Sequence, residues 1–126
     1  MSIPNNLKYT KEHEWILIEE NIGTIGVTKY AQGELGDVVF VDIDPSISDI
    51  KKGESIGTIE AVKTVSDIYA PFSGKVVEIN EQLKDSPELV NSDPYGKGWM
   101  LKVEISDTSE LSDLLDSSAY QALIGQ

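Results

Sequence analysis

Apolar positions fall mostly in short runs separated by turn-forming residues, the pattern of strands rather than of long helices. Trp15-Ile16-Leu17-Ile18 and Ile22-Gly23-Thr24-Ile25 flank Glu19-Glu20-Asn21, which reads as a three-residue hairpin connection. Residues 38–43 are β-branched and aromatic and stop at Asp44-Pro45; residues 55–59, 65–69, 75–79 and 99–105 complete the expected strands. Gly53, Pro71, Ser73-Gly74 and Pro94-Tyr95-Gly96 punctuate them as turns.

Helical signals are fewer. Thr28 can N-cap a short helix holding Ala31 and Leu35 and ended by Gly36. A brief helix is expected near 81–84, before Pro87. A C-terminal helix is expected near 108–124, capped by Asp107 or Ser109, with Glu110 and Asp113 suiting the dipole of its first turn. Its apolar stripe is Leu111, Leu114 and Leu115, and Tyr120, Leu123 and Ile124 extend it after a break at Ser117-Ser118. Sequential strands with regular turns predict a mainly β fold, two small antiparallel sheets in a flattened sandwich or barrel with short helices.

Two halves of the chain echo each other. Ile22-Gly23-Thr24-Ile25 recurs as Ile56-Gly57-Thr58-Ile59, with Lys29 and Lys63 each four residues beyond, and Gly36-Asp37-Val38-Val39 is echoed by Gly74-Lys75-Val76-Val77. Internal duplication and the ordinary residue usage of strands and turns explain this echo equally well.

The length of 126 residues gives one domain, 1–126, large enough for a real core. The absence of cysteine excludes a disulfide scaffold, a cysteine nucleophile and thiolate metal sites, and a single histidine, His13, excludes a multi-histidine centre. His13, a lone histidine beside Glu14 and Trp15, reads as a packed or hydrogen-bonded structural residue rather than a base. A net charge of −12, with ten lysines and no arginine, opposes nucleic-acid binding and favours encounter with basic partner patches. No apolar run approaches the roughly 20 residues that span a bilayer. The segment from Met1 to Thr10 lacks the core of a signal peptide, so the expected location is cytoplasmic, of bacterial type, or a mature organellar form. Gly96 and Gly98 lack the spacing of a dinucleotide fingerprint.

The most informative stretch is 57–71. Two strand-like runs surround Glu60-Ala61-Val62-Lys63-Thr64, which places Lys63 near a hairpin tip, solvated and open to another protein from several directions. Such a lysine suits post-translational attachment; taken alone, it equally suits a routine loop.

Over nearly its whole length the chain resembles the lipoyl carrier (H) proteins of the glycine cleavage system. The resemblance is carried by Leu7-Lys8-Tyr9, His13-Glu14-Trp15, Gly26-Val27-Thr28, Ala31-Gln32, Leu35-Gly36-Asp37 and Glu60-Ala61-Val62-Lys63. It continues through Ser66-Asp67-Ile68-Tyr69-Ala70-Pro71, Ser73-Gly74, Leu89-Val90-Asn91 and Gly98-Trp99. Ala61 stands where the family usually has serine, and the lysine is intact.

The resemblance implies a non-catalytic carrier in which Lys63 holds lipoic acid in an amide. It implies four partners: a pyridoxal-phosphate glycine decarboxylase (P protein), a tetrahydrofolate-dependent aminomethyltransferase (T protein), dihydrolipoyl dehydrogenase (L protein) and a lipoylating enzyme. A monomer is the expected state. The aminomethyl cargo bears a cationic amine, which a cleft offering carboxylates would hold and shield from water. Glu14 and Asp67 are the candidates by family position, and Glu12 is a further one outside the shared block. An exposed pair contributes only about 0–1 kcal/mol. Partial burial raises a 4 Å pair toward ~4 kcal/mol of gross Coulomb energy, so such a cleft must exclude water.

Other readings stay open on the residues alone. Biotin carriers set their lysine between methionines, whereas Val62 and Thr64 flank this one. Lipoyl domains of 2-oxoacid dehydrogenases usually have Asp before the lysine and are shorter. Further alternatives are a relay donating lipoyl groups to such complexes, a hydrolase pairing Glu60 with Asp67, and an unmodified β interaction module.

Overall fold

The computed structural model describes residues 6–44 and 46–125, with residues 32–34 described by backbone alone. Pro45, expected to end a strand, and the first five residues lie outside that range. Among the described residues, nine strands form two antiparallel sheets. The first six are β1 (Lys8–Tyr9), β2 (Glu14–Glu19), β3 (Ile22–Val27), β4 (Val38–Asp42), β5 (Asp49–Ile50) and β6 (Ser55–Ala61). Then come β7 (Val65–Tyr69), β8 (Gly74–Ile79) and β9 (Leu101–Ile105). One sheet has the order β1-β2-β3-β9-β8-β5 and the other β4-β6-β7.

β9 alternates, with Leu101, Val103 and Ile105 buried and Lys102 and Glu104 outside the core, whereas β3 is buried from Gly23 to Val27. The main core joins both sheets through Ile16, Ile25, Val41, Ile59, Ile68, Phe72 and Leu101. A smaller cluster is built on Leu7, Tyr9, Trp15 and Tyr120. The two Ile-Gly-Thr-Ile blocks fall on β3 and β6, both hydrogen-bonded along two edges, whereas the second echo fails: β4 is an edge strand and β8 is interior.

Several boundaries differ from the sequence reading. The β2–β3 connection is two residues, Glu20-Asn21, because Glu19 pairs with Ile22 and Glu20 takes a left-handed φ of 56°. The turn is braced from β9, since Asn21 Nδ2 donates to the Ile105 carbonyl at 3.0 Å. Trp99 lies outside β9 because Asn80 Nδ2 takes its carbonyl at 2.7 Å.

Thr28 caps α1 (Lys29–Leu35), its Oγ1 accepting the Ala31 N–H at 3.2 Å, and Gly36 ends it at φ +86°. Two four-residue helices follow, α2 (Gln82–Asp85) and α3 (Leu89–Ser92). The C-terminal segment is two helices rather than one: a 3-10 helix, Thr108–Asp113, capped by Asp107, and α4 (Ser117–Leu123), capped by Asp116. The break falls earlier than Ser117-Ser118 because Leu115 exchanges backbone hydrogen bonds with Tyr9, both at 2.8 Å.

Candidate functional site: an exposed lysine and an acidic cleft

The β6–β7 hairpin forms because Ile59 and Ile68 are buried while Glu60 and Val65 pair on the outer face. Its loop is Val62-Lys63-Thr64, closed by the Ala61 N–H donating to the Thr64 carbonyl at 2.9 Å and anchored by the Val62 N–H on the Asp37 carbonyl at 3.0 Å. Lys63 is exposed, as are its neighbours Val62 and Val65. The stem of Lys63 lies over Gly36: a Cβ there would sit 3.3 Å from Lys63 Cγ. Gly36 therefore both ends α1 and leaves room for the lysine, a second role that its reading as a helix stop did not reveal.

Asp67 lies on β7, four residues beyond Lys63 in the chain. Asp67 lines a cavity of about 120 Å³ whose other acids are Glu12 and Glu14, so all three candidate carboxylates border one space. His13 lines it too, and Val27, Leu35, Ile59 and Ile68 form its apolar wall. Since a water occupies about 30 Å³ of liquid, the space suits a small head group rather than a whole arm. An open groove of about 550 Å³ adjoins it and shares Glu12 and Glu14.

The three acids differ in environment. Asp67 and Glu12 are exposed, and Asp67 accepts a long 3.4 Å hydrogen bond from the Tyr69 hydroxyl. Glu14 is 2% exposed and held from both sides. The Tyr69 N–H donates to its Oε2 at 2.7 Å and the Thr10 hydroxyl to its Oε1 at 3.0 Å. Burial pushes the Glu14 carboxyl up to about 7; the bonds from Tyr69 and Thr10 oppose the rise, and nearby Glu12 adds to it. Thr10 was not singled out in the sequence, and only its spacing of four from Glu14 could have hinted at it. Glu60, by contrast, pairs with Val65, while Asp67 pairs with Thr58, so no enclosed acid pair of the hydrolase type is formed.

The arrangement offers an amine nucleophile reachable by an acylating enzyme, and a small, partly apolar, acidic recess on the same hairpin. An amide at Lys63 and a cationic cargo in the recess both fit these residues.

The family profile described as Glycine cleavage H-protein matches residues 7–126. The glycine cleavage system H protein of Staphylococcus haemolyticus (strain JCSC1435) is 57% identical over 126 residues, covering 100% of both chains. That of Staphylococcus epidermidis (strain ATCC 35984) is 54% identical over the same full length. The crystal structure of a glycine cleavage system H protein from Mycobacterium marinum superposes with a TM-score of 0.90 at 38% identity, covering 98% of this chain and 100% of that one. Fold and relatives together define a carrier protein, one that presents a covalently attached lipoyl group rather than catalysing a reaction. The chain belongs to the glycine cleavage H-protein family, the lipoyl carriers of the glycine cleavage system. As such it works with the other components of that system. Among the described residues, no helix is long and apolar enough to cross a membrane.

Proposed function

We propose that Lys63 is the attachment residue and that the recess between Glu12, Glu14 and Asp67 receives the amine-bearing end of the arm. On this reading residues 1–126 act as one lipoyl-carrier unit in the cytoplasm of a bacterial cell. The unit passes an aminomethyl group from a pyridoxal-phosphate glycine decarboxylase to a tetrahydrofolate-dependent aminomethyltransferase. Dihydrolipoyl dehydrogenase regenerates the carrier, and a lipoylating enzyme acylates it. Lipoic acid supplies a sulfur pair that takes up a one-carbon unit and cycles between dithiol and disulfide, chemistry that a chain without cysteine lacks.

The carrying observation is that Lys63 stands exposed at the hairpin tip, its stem on Gly36, with an acidic recess lined by Asp67 of the same hairpin. Acylation removes the positive charge of Lys63 and leaves the adjoining acids free to hold a cation. Glu14, fixed by Thr10 and Tyr69, presents its carboxylate without rearranging, and a cation entering beside it favours loss of the Glu14 proton. The apolar wall of Val27, Leu35, Ile59 and Ile68 shields one side of the cargo from water.

The test is retention of the aminomethyl cargo by the loaded chain. Glu14→Gln and Asp67→Asn are expected to shorten it, and retention unchanged in both would remove the recess from the account.

A further inference from the structure

We propose that Tyr120, on the C-terminal helix α4, is a positioning residue for the recess: it holds the His13 ring neutral, with its proton on Nε2. The inference rests on the reading that the recess receives a cationic amine. His13 lines that recess between Glu12 and Glu14, and its backbone sits at φ 69°, a left-handed conformation that non-glycine residues seldom adopt. Such a conformation persists where its surroundings over-determine it. Here the His13 N–H donates to the Thr10 carbonyl at 3.1 Å, the Thr28 N–H donates to the His13 carbonyl at 2.9 Å, and the Tyr30 ring packs 4.8 Å away.

The ring nitrogen Nδ1 lies 2.8 Å from the Tyr120 hydroxyl, which lies 2.8 Å from Thr28 Oγ1. Counting protons orders this chain. Thr28 is fully buried and its Oγ1 accepts the Ala31 N–H; among the described residues the Tyr120 oxygen is the acceptor within reach of the Thr28 hydroxyl proton, so that proton goes there. Tyr120 then directs its proton to His13 Nδ1, which must present a lone pair. A proton on Nδ1 would reverse the chain and strand the Thr28 hydroxyl proton in a buried site, a costly loss.

That order matters because the charges around the ring pull the other way. Glu12 and Glu14 beside His13 in the chain, and Asp67 from β7, border the same recess, and carboxylates favour a cationic imidazole. Among the described residues, the phenols of Tyr30 and Tyr120 also lie against the ring. A cationic ring would offset the negative charge that an amine requires. Tyr120 is well suited to prevent this, being fully buried and stacked on Tyr9 at 4.6 Å with the rings 8° from parallel. A helix that composition presents as simple core cover thus sets the charge of the recess.

The single histidine gives one set of ring signals in long-range proton–nitrogen spectra of the labelled full chain. At pH 7 the expected result is an unprotonated Nδ1 and a protonated Nε2. Tyr120→Phe, which keeps the stacked ring, should lose this preference and shorten cargo retention severalfold. A wild-type spectrum with Nδ1 protonated, or with both nitrogens averaged, overturns the proposal without need of a variant. An unchanged ring state in Tyr120→Phe overturns it as well. Retention shortened by Glu14→Gln but not by Tyr120→Phe keeps the recess and overturns the role of Tyr120. Retention unchanged in both overturns the recess itself, and this proposal with it.

Discussion

The Tyr69 amide donates a 2.7 Å hydrogen bond to Glu14 Oε2, joining β7 of the three-stranded sheet to β2 of the six-stranded one. A buried carboxyl thereby fixes the wall of the recess from both sheets at once. Its ionisation is linked to the stability of the fold.

The folded protein holds Glu14 at about 7 against an ordinary value of 4.5, so between those values the native state keeps a proton that the unfolded chain has released. The stability from this group is full below the unfolded value and is lost as pH rises through 7. Urea unfolding is expected to show about 2–3 kcal/mol less stability at pH 8 than at pH 5, from 1.36 kcal/mol per unit of pKa. Glu14→Gln should flatten that dependence. Asp44 and Asp107, drawn below the usual range by hydrogen bonds from Ser46 and Ser109, titrate below this window. A slope unchanged in the variant would contradict the assignment.

Gly36 meets two demands, a left-handed φ of 86° and contact with the Lys63 stem. Gly36→Ala is expected to destabilise the fold by about 1–2 kcal/mol, the cost of a left-handed alanine. It should also slow acylation of Lys63 by a lipoylating enzyme. Denaturant midpoints and acylation rates check the two effects separately, and an unaffected rate would confine Gly36 to its role at the helix end.

Trp15 pairs across the strands with Gly26 and lays its indole over it: a Cβ at Gly26 would sit 2.5 Å from Trp15 Cε2. The ring is pinned by its Nε1–H donating to the Pro94 carbonyl at 2.9 Å. Gly26→Ala should therefore cost about 1–3 kcal/mol by overpacking. The same variant should quench or shift the fluorescence of Trp15, which has one neighbouring indole signal, Trp99, as internal reference. A variant as stable as wild type would show that the ring has room to move.

Much of this was legible in the residues, where the information is local. The strand runs, the Thr28 cap and the Gly36 stop follow from β-branching, a hydroxyl at a helix start and a glycine at its end. The two-residue strands β1 and β5 and the short helix α3 were not legible, because elements so brief carry no periodicity. The strand order is set by pairings distant in sequence, such as β3 with β9. Glu14 and Asp67 were singled out by family position, but the burial of Glu14 depends on Tyr69, 55 residues away. His13 was expected to be structural, and its partner Tyr120, 107 residues on, becomes visible only in the fold.

The central claim is that Lys63 bears the arm, and intact-mass and peptide-mapping spectrometry of the chain after treatment with a lipoylating enzyme tests it most directly. One lipoyl increment, mapped to Lys63 and absent from Lys63→Arg, is the expected result; because the side chain is exposed, that variant should keep its stability within about 0.5 kcal/mol. An increment on another lysine, or an unmodified wild-type chain under conditions that acylate a known carrier, would contradict the account.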